Sequence, residues 1–279
     1  MPIRREIARR VEALLGDVRA EAVAGEGPVD HGIFGPGSAS WTVHSDFSSM
    51  LVGGVAALLT QMLHPGAMAG VWDHSGFRRD MAGRLKRTAR FVGVATFGTT
   101  PQVADAVARV RRVHGHVRGE LPDGTPYSAN DPALLTWVHA AEVDAFLRAY
   151  LRYRDPWFPP AEQDRYLAEQ ARLARMLGAE GVPGSRAELA AYFRRVRPSL
   201  RADERTREAS RLMLAQPSPS LLTAPANGVL LRAGVELMPD WARRMHGLPV
   251  PWPGRVGLRA GAAGVGAVLR WATHGGGRT

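Results

Sequence analysis

Histidine is the residue type through which this sequence offers chemistry most plainly. The chain has nine histidines and no cysteine. Without cysteine, disulfides, iron–sulfur clusters, thiolate-ligated haem and cysteine-type zinc sites are excluded. Six histidines fall between residues 44 and 139, where acidic residues are few: His44, His64, His74, His114, His116 and His139. An imidazole-bound cofactor is therefore the natural chemical hypothesis.

A cation and a hydroxyl are spaced to reach one pocket in the segment that follows. Arg84 stands three residues before Arg87 and four before Thr88, so the three side chains share one face of a predicted helix. Alternatively, residues 78–90 form a basic outer face in which Thr88 hydrogen-bonds its own backbone. Spacing alone favours this second interpretation.

The remaining histidines have similar pairs of interpretations. His114, in RRVHGHVRG, lies four residues before Arg118, so on a helix they would serve as cofactor ligand and propionate clamp. A histidine near a helix C-terminus is the simpler interpretation. His139, in the apolar segment LLTWVHAAEV, is either a pocket residue or a core histidine, and the pattern favours the core. His64, directly before Pro65, is predicted to be the C-cap of the helix before it.

Other catalytic motifs are excluded by their absence. The sequence has no HExxH, GxSxG, Walker or CxxC pattern. A helical di-iron site needs Glu-x-x-His motifs, and the chain has none, nor any glutamate between Asp30 and Glu120. The glycine-rich stretch 261–266 follows no predicted strand, so we interpret it as a close-packing helix face rather than a dinucleotide loop.

The elements that must position these residues are almost all helices. Apolar periodicity predicts helices over residues 2–22, 46–64, 79–97, 100–117, 131–154, 161–178, 185–195, 203–215, 219–235 and 253–273. Residues 119–130, with Asp123-Gly124, predict at most one small β-hairpin. The uncharged stretch Phe47–Leu63 is short and polar for a membrane span, so we expect a core helix. The sequence predicts an all-α, single multi-helix domain over residues 1–279.

The charge of the chain is strongly basic, with a formal net charge of +10. The arginines are spread over every predicted helix without an aromatic-and-basic stripe, which indicates solvated faces, and no nucleic acid is expected. The charged N-terminus lacks the apolar segment of a signal peptide. We therefore expect a cytoplasmic protein, with peripheral contact to anionic membranes as an alternative. The oligomeric state is not predicted.

Three segments together resemble the catalytic domain of the mpaB-type and rubber-oxygenase family. They are LVGGVAALLTQMLHPGAMAGVWDHSGFRRDMAGRLKRTARFVGVATFG (residues 51–98), VRRVHGHVRGELPDGTPYSANDPALLTWVHAAEVDAF (110–146) and LMPDWARRMHGL (237–248). The similarity covers about residues 28–250 in the same order, which leaves the predicted helices 2–22 and 253–273 peripheral.

The resemblance implies a globin-like helical packing around haem b. It makes His114 the proximal iron ligand, places Arg84 and Thr88 beside the haem, and makes His139 a pocket residue; Arg118 is an expected propionate partner. It also implies an oxygenase that acts with O₂ on a small hydrophobic or unsaturated substrate. His64 and Arg87 are then expected on the distal side.

Two departures from the family pattern leave other functions open. Rubber-cleaving members have a lysine where this chain has Arg87, and they have an upstream distal glutamate that this chain lacks. A haem-binding sensor or carrier without turnover is therefore one alternative. A basic helical protein that binds anionic membranes or nucleic acid, without a cofactor, is the other.

Overall fold

The computed structural model describes residues 30–216 and 224–273, and these ranges are all-α apart from one two-stranded hairpin. Their twelve α-helices are α1 (Ala39–His44), α2 (Phe47–Gln61), α3 (Pro65–His74), α4 (Met81–Phe97), α5 (Thr100–His114), α6 (Pro132–Tyr153), α7 (Pro160–Leu177), α8 (Arg186–Val196), α9 (Glu204–Leu214), α10 (Ala224–Leu237), α11 (Asp240–His246) and α12 (Trp252–Thr273). The all-α prediction is confirmed. The helix predicted over residues 2–22 lies outside the described residues.

The predicted hairpin is present between α5 and α6. Strand β1 (Arg118–Glu120) pairs antiparallel with β2 (Pro126–Ser128). Gly124 in the connecting turn has φ +82°, a conformation that favours glycine. The Asp123-Gly124 signal therefore located the turn correctly.

Three short helices, α1, α3 and α11, were not predicted. Helices α1 and α11 have six and seven residues, too few to show a helical period. Pro65 was taken only as the break that ends α2. It is also the first residue of α3, where proline is favoured. The C-cap prediction for His64 is wrong: Met62 is the C-cap of α2, and His64 is the N-cap of α3, where its Nδ1 accepts the Gly66 N–H at 3.2 Å.

The core is built around the contact between α2 and α6. Val52 and Leu59 of α2 are buried, which confirms the core-helix prediction for this segment. A Cβ atom on Gly53 would lie 2.8 Å from the ring of Phe146, so the small residue allows α2 to approach α6 closely. The indole N–H of Trp137 in α6 donates to the carbonyl of Gln61, the last residue of α2, at 3.1 Å. This hydrogen bond holds the C-terminal end of α2 against α6.

Within the described residues, no single helix is long and apolar enough to cross a membrane. Helices α2 and α3 pass that test of length and composition only when taken together, and the chain bends by 102° between them.

The last helix, predicted as peripheral, packs against α10 and α2. Its glycines form the contact: Gly261 faces Val229, and a Cβ atom on Gly266 would lie 2.9 Å from the hydroxyl of Ser48. The close-packing interpretation of residues 261–266 is confirmed.

Candidate functional site

His44 has a structural role between three helices. Its Nδ1 lies 2.7 Å from the Thr96 hydroxyl and its Nε2 lies 2.9 Å from the Tyr166 hydroxyl. Because Thr96 donates its own proton to the Val92 carbonyl, His44 donates from Nδ1 and accepts from Tyr166 at Nε2. Burial lowers the pKa of His44 to about 3, so it stays neutral and links α1 to α4 and α7.

Two further histidines are also used by the fold. His74 lies with its Nε2 3.1 Å from the Arg118 carbonyl, which attaches β1 to α3. His246 is buried and lies with its Nε2 2.7 Å from the Leu59 carbonyl and its Nδ1 3.2 Å from the Ser210 hydroxyl. Neither has a ring nitrogen arranged for a cofactor.

The hairpin of α4 and α5 brings the predicted ligand and the predicted cation together. The two helices pack side by side and are joined at Gly98, with Arg84 fourteen residues before the turn and His114 sixteen after it. Near the turn the hairpin is closed by an apolar cluster that includes Ala95 of α4 and Val107 of α5. Arg84 and His114 extend these two inward faces to the open end of the hairpin.

The His114 imidazole has no hydrogen bond in the part of the chain that the structure describes. Its Nδ1 is shielded from solvent and unpartnered. Burial lowers the pKa of His114, and the positive charge of Arg84 lowers it further. The ring is therefore neutral at neutral pH, which is the form that ligates a metal ion.

Arg84 is a partly buried cation without an ion pair or side-chain hydrogen bond among residues 30–216 and 224–273. Burial lowers its pKa, and repulsion from Arg87 adds to this. Arg87 itself is 68% exposed and pairs with Asp80 at 3.2 Å, so it points away from His114. Thr88 donates to the Arg84 carbonyl at 3.2 Å, as the backbone-bonded interpretation predicted.

Arg118 is not a helical neighbour of His114, and that part of the prediction is wrong. Helix α5 was expected to continue to about residue 117, but it ends at His114 with Gly115 as the C-cap. Arg118 instead begins β1, where it is exposed, so the i, i+4 argument does not apply.

His139 does not lie beside His114. Helix α5 packs on the Leu173 face of α7, whereas Leu135 of α6 packs on the opposite face, at Ala171. Burial lowers the pKa of His139 to about 4, followed by the charge of Arg175. Its Nε2 is buried without a hydrogen-bond partner among the described residues.

Glu142 was missed by the sequence analysis. It is one helical turn from His139 on the same face of α6, and it has no hydrogen bond or ion pair within the described ranges. Burial raises the pKa of its carboxyl to about 7. The spacing of three residues in HAAE is the signal that was available, but the sequence does not show that Glu142 is buried without a partner.

His64 is separated from these groups by α6. It lines a cavity together with Trp137, which lies on the face of α6 opposite to His139 and Glu142. The structure therefore brings His114 together with Arg84 and with Thr88 one turn away. It does not bring His64, His139 or Arg118 into that group.

The open end of the α4–α5 hairpin offers two of the groups that can hold a haem. An unpartnered neutral imidazole is suited to axial ligation of iron, and an unpaired guanidinium is suited to a propionate. An orphaned buried ring nitrogen beside an orphaned cation has no evident structural use, because each costs free energy unless a ligand satisfies it. Arg84 and His114 therefore fit this cofactor.

A sequence model of the family described as "ER-bound oxygenase mpaB/B'/Rubber oxygenase, catalytic domain" matches residues 41–271. The chain belongs to this family. The suspected resemblance is confirmed, and with it membership of a family of oxygenase catalytic domains. The match extends through most of α12, in agreement with the packing of that helix into the core. No curated protein and no solved structure shows a significant match to the chain.

Proposed function

We propose that this mpaB/rubber oxygenase family domain is a haem b-dependent oxygenase that uses O₂ on a small hydrophobic or unsaturated substrate. The observation that carries the proposal is the unpartnered His114 imidazole beside the unpaired Arg84 guanidinium. Family membership supports the oxygenase part. The two residues support the haem part, because a ligand and a propionate partner lie on facing helices.

In this proposal the chain's residues bind and orient the cofactor. His114 would hold the iron through a ring nitrogen, and Arg84 would donate hydrogen bonds to a propionate. Burial keeps His114 unprotonated, so the ligating lone pair is available at neutral pH. Haem, when bound, would supply the iron needed for oxidative chemistry with O₂. Neither Arg87 nor His64 is assigned a role here, because neither lies beside His114.

The experiment that tests the proposal is an absorption spectrum of the full chain after expression with haem supply or reconstitution with hemin. We expect a Soret band that co-elutes with the protein and changes on dithionite reduction, with b-type haem recovered on extraction. A protein that stays colourless under both conditions would refute the proposal. A six-coordinate spectrum with no oxidation of added unsaturated lipids would support a sensor or carrier instead.

Arg84→Gln should separate cofactor binding from folding. Removing an unpaired, partly buried cation relieves a desolvation cost, so the apoprotein should be as stable as the wild type or more so. Haem affinity should fall about tenfold, because a charge-assisted bond to a propionate is lost. Hemin titration and thermal unfolding measure the two effects.

Arg87→Gln is the matched control for this substitution, since Arg87 lies on the same helix but is exposed and paired with Asp80. It should leave haem affinity within about twofold, because exposed ion pairs contribute little. Equal losses of affinity in the two variants would point to a general effect of charge and would count against Arg84 as the propionate partner.

A further inference from the structure

A cavity of about 300 Å³ is lined by His64, by residues of α6 and by residues of α8. It is formed between the first turns of α6, the end of α8 and the loop after α7. Ala133 and Val196 contribute apolar wall, and the Thr136 hydroxyl donates to the Glu180 carbonyl at 2.7 Å, which holds the loop against α6. The volume is at the lower end of the range for small-molecule sites.

His64 contributes a hydrogen-bond donor to this cavity. Its Nδ1 accepts the Gly66 N–H at 3.2 Å, so the proton of the neutral ring is on Nε2. Burial lowers the pKa of His64, which keeps the ring neutral. Nε2 has no acceptor in the described ranges, although His64 lines the cavity. The N–H is therefore available to a ligand.

Two more donors line the same cavity from α8. Burial raises the pKa of Tyr192 to about 12, so its hydroxyl remains protonated, and it has no hydrogen-bond partner among the residues described. The Arg195 guanidinium lies over the Tyr192 ring at 5.3 Å and has no ion pair there. A stacked arginine of this kind is preorganised to bind an anionic group.

The hydrogen-bond donors and charged groups around the cavity determine which class of ligand it can bind. One imidazole N–H, one phenol and one guanidinium lie around an apolar wall that includes Ala133 and Val196. Glu180 is the acidic side chain at the rim, and it is exposed. Its negative charge disfavours a second carboxylate on the ligand, whereas a single carboxylate can bind Arg195 while its hydrocarbon part covers Ala133 and Val196.

We propose that this cavity is a second binding site, which takes a small monocarboxylate with an aromatic or short aliphatic body. The site uses none of the residues that hold the proposed haem. Binding of a carboxylate at this site can therefore be measured on protein without haem.

The test is calorimetric titration of the full chain with phenylacetate and with 2-phenylethanol, which has the same carbon skeleton without the charge. We expect saturable binding of phenylacetate, about tenfold tighter than the alcohol. Arg195→Gln should lower the affinity for phenylacetate to that for the alcohol. Ala133→Leu, which adds bulk at an exposed position of the lining, should weaken both.

Arg194→Gln is the control, because Arg194 is the adjacent exposed arginine of α8 and does not line the cavity. It should bind phenylacetate as the wild type does. Equal affinity for acid and alcohol, equal losses in the two arginine variants, or no binding of phenylacetate at millimolar concentration would each overturn the proposal. Because none of these results depends on the Soret band, this inference and the haem proposal fail separately.

Discussion

Replacement of His114 by alanine is expected to leave a folded protein that no longer retains haem. Burial lowers the pKa of His114 and the positive charge of Arg84 lowers it further, so the two side chains lie close enough to interact at the open end of the α4–α5 hairpin. Loss of second-shell partners of a metal ligand typically weakens binding about 10–100-fold, and loss of the ligand itself should exceed that. Hemin titration followed at the Soret band, with gel filtration, measures the change.

The stability of the apoprotein distinguishes a loss of haem affinity from unfolding. The His114 ring makes no hydrogen bond within the described ranges, so the apoprotein should lose less than about 1 kcal/mol on substitution. His116→Ala is the matched control: His116 is exposed, two residues beyond the end of α5, and its removal should change neither haem content nor stability. A His114→Ala protein with full haem content would assign the axial ligand elsewhere.

The helices that carry the site were predictable because each shows its own signals. Asp46 caps α2 by accepting the Ser49 N–H, and Thr99 with Gln102 forms a capping box at the start of α5. Long amphipathic segments with such ends are read reliably from sequence. Helices α1 and α11 lack the length for this, and their positions follow from tertiary contacts such as the bond between His44 and Tyr166.

Only the family resemblance suggested that Arg84 and His114 lie together, although the two residues are at similar distances from Gly98 along the sequence. Two antiparallel helices joined at Gly98 place residues that are equally distant from the turn side by side. What the sequence could not show was which polar groups would be left unpartnered. His44 and His246 look no different from His114 in the sequence, and only the structure gives the first two their hydrogen bonds.

Glu142 illustrates the same limit for acidic groups. In the sequence it is one of several glutamates on amphipathic helices, and most of the others are exposed or paired, as Glu162 is with Arg165. Its distinguishing property is burial without a partner, which depends on how α6 packs against α7 and α1. Periodicity places Glu142 and His139 on one face, but it does not say what covers that face.

Substitution of Glu142 by glutamine should therefore stabilise the protein, and by an amount that grows with pH. Burial raises the pKa of Glu142 from 4.5 to about 7 in the folded state. Between these values the folded protein binds more protons than the unfolded chain, so the free energy of unfolding falls as pH rises. The wild type should lose about 2–3 kcal/mol in this way by pH 8, and the neutral glutamine should not.

Urea unfolding of both proteins between pH 5 and pH 8 measures this difference. Burial raises the pKa of Tyr166, and the charge of Glu142 contributes to this. Titration of the other ionisable groups cancels when variant and wild type are compared at each pH, apart from direct coupling to Glu142. The control is Glu162→Gln, where the carboxylate is an exposed partner of Arg165 and the effect should stay below about 1 kcal/mol. A stability difference for Glu142→Gln that is independent of pH would mean that the carboxyl titrates normally, with water or an unrecognised donor solvating it in the fold.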